Sequence, residues 1–195
     1  LVAVDARAIN IAHDTDSSLF SSIVVRFSGG GHRPAGQAAA AAANPLQFTV
    51  SLNHNWHLKS EMLIRPGIPV IDRLGGGTGA SRHEVNVQFS AGLRGAGADF
   101  GVAWSSPTRI NQGVDDTNGA YRVTPPIVVS VSAFIDPDAL FPGLKDNALA
   151  KSVKVSLSVS NLLNSYRRVR SADGGPLPGF SRDEVDPLGR VMQVT

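Results

Sequence analysis

The segment Leu46-Gln47-Phe48-Thr49-Val50-Ser51-Leu52-Asn53-His54-Asn55-Trp56-His57-Leu58 decides how this chain is read. Every odd position from 47 to 57 is polar, and every even position except His54 is apolar. A period of two belongs to a β-strand, whose successive side chains point to opposite faces, so this strand has one greasy and one wet face. At ~3.4 Å per residue it extends about 44 Å, roughly twice the ~20 Å at which strands of soluble domains usually stop.

The alternation recurs downstream. From His83 to Arg94, Val85, Val87, Phe89, Ala91 and Leu93 alternate with Glu84, Asn86, Gln88, Ser90, Gly92 and Arg94. It returns in Val153 to Ser160, with shorter versions at Ile23 to Ser28, Phe100 to Trp104 and Ile127 to Ser132. With Leu1 to Ile9 and Arg190 to Thr195 added, the chain reads as all-β, an antiparallel meander of about eight long strands. The predicted connections are unequal. Gly95-Ala96-Gly97 reads as a tight turn, whereas Arg65 to Arg82, Ser105 to Ala120 and Ser165 to Pro187 are long. The alanine run Ala38 to Ala43 reads as a low-complexity insertion, and Asp136 to Ala150 as a connection with a helical turn around Asp138-Ala139-Leu140.

Composition narrows the class. With 20 Gly and 12 Pro in 195 residues, turn formers exceed the ~12% of an average chain, which excludes a coiled coil and disfavours a helix bundle. No cysteine is present, so neither a disulfide framework nor a thiolate metal site can form. A formal net charge of +2 leaves no nucleic-acid footprint. No segment reads as a membrane-spanning helix. The opening Leu1-Val2-Ala3-Val4-Asp5 carries neither a start methionine nor a signal-peptide pattern, so the chain reads as a piece of a longer one.

Two-faced strands have more than one physical explanation. In a soluble sandwich the apolar face packs on a second sheet. In a membrane barrel it meets lipid, and the polar face lines a lumen. Strand length, loop asymmetry and small polar residues favour the barrel, while the low aromatic content, with two Trp and two Tyr, pulls the other way. A third arrangement, eight strands closed on themselves, would leave a lumen poorly filled by such small side chains.

At the C-terminal end, Val155-Ser156-Leu157-Ser158-Val159-Ser160-Asn161-Leu162-Leu163-Asn164 is followed after a loop by Asp186-Pro187-Leu188-Gly189-Arg190. This pair resembles the last two strands of TonB-dependent outer-membrane receptors, with Leu163 in place of the usual Phe. Trp56 to Gly67, Arg82-His83-Glu84-Val85 and Val4 to Asn10 are similar to a subgroup of that family. The resemblance implies the C-terminal part of a 22-stranded transmembrane β-barrel in the outer membrane of a Gram-negative bacterium. By the same resemblance the parent takes up a scarce nutrient such as a ferric siderophore with TonB-coupled energy. Its partners are then outer-membrane lipid, a plug domain, the remaining barrel strands and TonB. Residues 1–195 hold no plug domain or TonB box, the last strand reads as incomplete, and the fragment is expected to be inactive alone. Gln47, Thr49, Ser51, Asn53, Asn55, Asn86, Gln88 and Ser90 are then expected to face the lumen, and Ser165 to Pro187 to lie outside the cell. Trp56 and Trp104 fall near the outer interface.

Few positions offer chemistry. His54 and His57 lie three apart on a strand, on opposite faces, and cannot share an ion. Gly75-Gly76-Gly77-Thr78-Gly79 lacks the Gly-Lys-Ser/Thr of a phosphate loop. Asp115-Asp116 with Asn118, and Asp183-Glu184 with Asp186, lack a full calcium-loop signature. Arg167, Arg168 and Arg170 form the densest basic patch, able to attract an anionic ligand or lipopolysaccharide phosphates. No nucleophile, carboxylate pair or cofactor motif stands out, so the chain reads as a non-enzyme.

Overall fold

The computed structural model describes residues 11–29, 46–74, 80–110, 121–144, 147–171, 173–177, 180 and 189–195. Its centre is one antiparallel sheet. The seven strands on its main path are β1 (His13–Gly29), β2 (Leu46–Leu63), β4 (His83–Leu93), β5 (Ala96–Ser105), β8 (Val128–Ile135), β9 (Val155–Ser160) and β11 (Val191–Val194). They neighbour one another in chain order, which is a meander, and the two-residue β3 (Ile71–Asp72) adds to β2. A separate small sheet has the order β10 (Arg168–Ser171), β7 (Tyr121–Thr124), β6 (Thr108–Ile110).

The meander and most strands match the sequence reading, with β2 five residues longer than expected and β1 starting at His13 instead of Ile23. In β1 the alternation is poor: Phe20 and Val24 fall among the polar positions. Pairing with β2 extends the strand past them, with a register shift between Ser17 and Ser18. The predicted strand Leu1 to Ile9 and the alanine run lie outside the described residues.

The β4-β5 turn is Arg94-Gly95, one position earlier than the glycines indicated. Both residues have positive φ, 36° and 72°, as a two-residue hairpin turn matched to strand twist requires. Gly95 is also packed: a Cβ there would lie 2.4 Å from that of Ala139 in the short helix α1 (Pro137–Leu140). The predicted helical turn is therefore real, and a second short helix, α2 (Ala148–Ser152), follows before β9.

Among the described residues only Leu74, Val129 and Val169 are buried apolar side chains, and none is fully enclosed. Among the described residues no strand of the small sheet pairs with one of the large sheet. β1 and β11 stand at opposite edges and do not pair, so the described strands do not close into a barrel of their own.

Candidate functional site

Antiparallel partners project to the same face, so the register shows how the strand patterns combine. One row across the sheet reads Val25, Val50, Phe89, Phe100, Val131, Val159, Met192. The row beside it, one residue along each strand, reads Arg26, Thr49, Ser90, Asp99, Ser132, Ser158, Gln193. Seven strands thus agree on which face is greasy and which is wet.

Gln47, Thr49, Ser51, Asn53 and Asn55 share the wet face with Asn86, Gln88 and Ser90, their partners being Ser90 for Thr49, Gln88 for Ser51 and Asn86 for Asn53. That face is cross-linked by side chains. The Ser90 hydroxyl donates to Asp99 at 2.6 Å, that of Ser132 to the other Asp99 oxygen at 3.4 Å, and Ser22 to Asn53 at 2.8 Å. Gln88, Ser90, Asp99, Ser130, Ser132 and Ser158 line a shallow hollow of about 290 Å³. Asp99 and the serines of β8 and β9 were not singled out from sequence. Their signal was there, as the wet halves of shorter alternating runs.

Near the β4-β5 turn a small residue on the wet face makes room for a ring. A Cβ on Gly97 would lie 2.5 Å from the Phe134 ring, which covers the glycine and carries the Lys154 ammonium 3.8 Å from its centroid. On the greasy face the aromatic and imidazole rings gather toward one end. His54 and His83 stack at 5.4 Å with nitrogens 3.1 Å apart, and Trp56 stacks on His83 at 5.6 Å. His57 takes a different partner, accepting from Asn55 Nδ2 at 2.9 Å, so the two histidines of β2 do not converge. Among the described residues no group of three or more His, Cys, Asp or Glu is placed to hold a metal ion. The glycine run at 75–79 and both acidic clusters, Asp115-Asp116 and Asp183 to Asp186, lie outside the described residues.

The end of the sheet carrying the 64–82, 106–127 and 161–190 connections is built differently. Asp14 pairs with Arg73, Arg82 with Asp72 at 3.8 Å, and Lys59 with Glu61 at 3.0 Å. Asn161 ends β9 with φ 50°, a conformation Asn tolerates. Its side-chain Oδ1 accepts from Ser165 N–H at 2.8 Å, and its Nδ2 donates to the carbonyls of Ser165 at 2.8 Å and Gly189 at 3.4 Å. One buried side chain thus joins the Asn-Leu-Leu-Asn segment to the entry of β11. Leu163 is 58% exposed, so a larger apolar residue in its place would not enter a core.

Of the basic patch, Arg168 and Arg170 lie on one exposed face of β10, with buried Val169 on the other, and Arg167 is exposed just before the strand. The register adds two arginines the sequence reading missed. Arg170 pairs with Arg122, and Arg122 with Arg109. Below them Tyr166, Arg168, Arg170 and Phe180 border a hollow of about 420 Å³. Ser171 and Asp173 close the turn after β10. The Ser171 hydroxyl, then the backbone N–H groups of Gly175 and Asp173 itself, hold the Asp173 carboxyl below its ordinary value.

No family model matches the chain, and neither a curated protein nor a solved structure does.

Proposed function

We propose that the chain is a section of the transmembrane β-barrel of a TonB-dependent outer-membrane receptor, whose intact form takes up a scarce nutrient such as a ferric siderophore. The observation that carries this reading is the pair of adjacent rows, seven apolar residues beside seven polar ones, across an open sheet whose apolar face leaves Ile23, Phe27, Phe100 and Leu157 exposed where a soluble domain would cover them with a protein layer. Lipid takes the place of that layer, and a watery or plugged lumen meets the serines, Asp99 and the amides.

The dimensions agree. On β4 the greasy face runs from Leu93 to His83, about 34 Å along the strand at ~3.4 Å per residue. At a tilt of ~40° that projects to about 26 Å, the height of a barrel's apolar band. With β11 running toward the periplasm, the 64–82, 106–127 and 161–190 connections lie outside the cell, and Trp56 and Trp104 near the outer interface. The Asn161 to Gly189 contact gives the two C-terminal motifs of the resemblance a shared structural purpose.

A soluble β-sandwich binding module is the competing reading, and it needs a second sheet over the row from Val25 to Met192. Two measurements separate the two. Fractionation of cells making the intact protein is expected to recover it with the outer membrane, and recovery in the cytosol refutes the proposal. Lipid-soluble probes are expected to label single cysteines at Val50 and Leu52 and spare those at Thr49 and Ser51; the reverse pattern also refutes it.

A further inference from the structure

The three-stranded sheet at the long-loop end sets three guanidinium groups in one lateral row. Arg170, Arg122 and Arg109 are direct cross-strand partners on an exposed face, with Arg168 two residues along β10 on the same side. Like charges placed opposite one another destabilise a sheet. No carboxylate among the described residues lies within ion-pair distance of these four, whose recorded contacts are a 3.4 Å bond from Arg170 to the Gly174 carbonyl and the Arg168 guanidinium 5.4 Å from the Tyr166 ring. The opposite face is anchored, since Thr108 and Val169 are 4% and 7% exposed, so the strands are held in register beneath the charges.

We infer that this arginine face binds a compact anion carrying two or more phosphate or carboxylate groups. Neighbouring strands are ~4.8 Å apart, so the row spans about 10 Å, narrow enough for guanidinium groups at its two ends to reach inward onto one small polyanion. Guanidinium groups match carboxylate and phosphate oxygens two at a time, and they keep their charge at any physiological pH. The hollow beside Arg168 and Arg170, walled by Tyr166 and Phe180, receives the less polar part of such a ligand. The inference rests on the barrel reading only for its location, which puts the site outside the cell, facing either dissolved anions or the phosphorylated head groups of the outer leaflet.

The test uses the intact protein in detergent micelles, with tripolyphosphate and citrate as dissolved probes and micelles with or without phosphatidic acid as the lipid probe. Binding of tripolyphosphate that weakens as salt rises is expected, with Arg122→Thr reducing affinity at least tenfold and Arg122→Glu abolishing it. The unliganded Arg122→Thr protein is expected to melt at or above the parent temperature, because it removes repulsion. A residue with a merely structural role would show the opposite. Lys59→Gln, at an exposed ion pair on β2, is expected to leave binding unchanged. Competition by phosphatidic acid identifies the lipid head group as the source, and its absence identifies a dissolved solute. Folded Arg122→Thr protein that binds tripolyphosphate like the parent overturns the inference, as does the absence of binding by the parent. Membrane insertion is scored separately by fractionation, so failure of the barrel reading is distinguishable from failure of the anion site.

Discussion

Arginine scanning along β4 tests the membrane reading on a single strand, where neighbouring positions differ in face and distant ones in depth. Val87 lies near the middle of the apolar face, Leu93 at its lower end and Gln88 on the wet face. A lipid-facing arginine costs about 2 to 4 kcal/mol at the bilayer midplane and about 0 to 1 near an interface. Val87→Arg is therefore expected to lower stability by about 3 kcal/mol, a factor of roughly 150 in the folding equilibrium at 1.36 kcal/mol per decade. Leu93→Arg and Gln88→Arg are each expected to cost less than about 1 kcal/mol, the first because it snorkels to the head groups and the second because it meets water. The assay is urea unfolding of the intact protein inserted in phosphocholine vesicles, followed by tryptophan emission and by electrophoretic mobility without heating. Repeating it with longer acyl chains moves Leu93 deeper, and the Leu93→Arg penalty is expected to grow while that of Gln88→Arg stays flat. Equal penalties at Val87 and Gln88, or cooperative folding in plain buffer without lipid, would refute the reasoning.

Three further outcomes follow from the local geometry. Asn161→Ala removes a buried amide that makes, to described residues, two hydrogen bonds with Ser165 and a longer one with Gly189 at the entry of β11, and at ~1 kcal/mol each, with the third weakened by its length, it is expected to cost about 2 kcal/mol in the same urea assay. Asn161→Gly, which suits the positive φ but restores no side-chain bond, is expected to recover less than half. Gly97→Val drives a side chain into the space of the Phe134 ring, so a loss of about 1 to 3 kcal/mol is expected, largely reversed by adding Phe134→Ala; a single variant as stable as the parent would show that the ring does not cover the glycine. Because the folded Asp173 carboxyl titrates below its ordinary value of 3.8, its contribution is fully present above that value and is lost as pH falls through the lowered one. Proteolysis of the 171–175 turn is expected to accelerate only under that acidity, and Asp173→Asn to remove the acid dependence.

The large sheet was readable because each long strand repeats one message many times. In β2, six polar positions from Gln47 to His57 alternate with apolar ones broken only at His54, which fixes the residues that share a face, and a slip of one position would reverse them all. β1 carried no such message between His13 and Ser22, where aspartates, serines and Phe20 follow no period; its length comes from β2 alongside it. The small sheet was invisible for a different reason. β6, β7 and β10 are each three or four residues long, too short for a period to register, and they lie in segments whose prolines and glycines read as loop. The arginine row is harder still. Arg109 and Arg122 stand thirteen residues apart in one connection and Arg170 comes from another, and only pairing makes them neighbours, whereas Arg167, Arg168 and Arg170 were visible because they lie within four residues of the chain.

Alternation alone is symmetric between a lipid-facing and a core-facing apolar surface, so the choice rests on what the sheet leaves unsatisfied. Its apolar face exposes Leu19, Ile23, Phe27, Trp56, Phe100 and Leu157, each between 39% and 58% accessible. The edge of β1 is a long row of backbone donors and acceptors with no further strand beside it among the described residues, an open template for pairing. A second sheet over the greasy face would satisfy the first deficit and leave the edges open. Further strands in the same sheet would satisfy the second and lengthen the greasy face. Closure of a larger barrel within lipid answers both at once, since strands cover the edges and acyl chains cover the face. It also accounts for the wet surface, where Ser90, Asp99 and Ser132 form a hydrogen-bonded line instead of a scatter of charges. That line suits a lumen holding water or a polar plug better than an outer surface selected only for solubility.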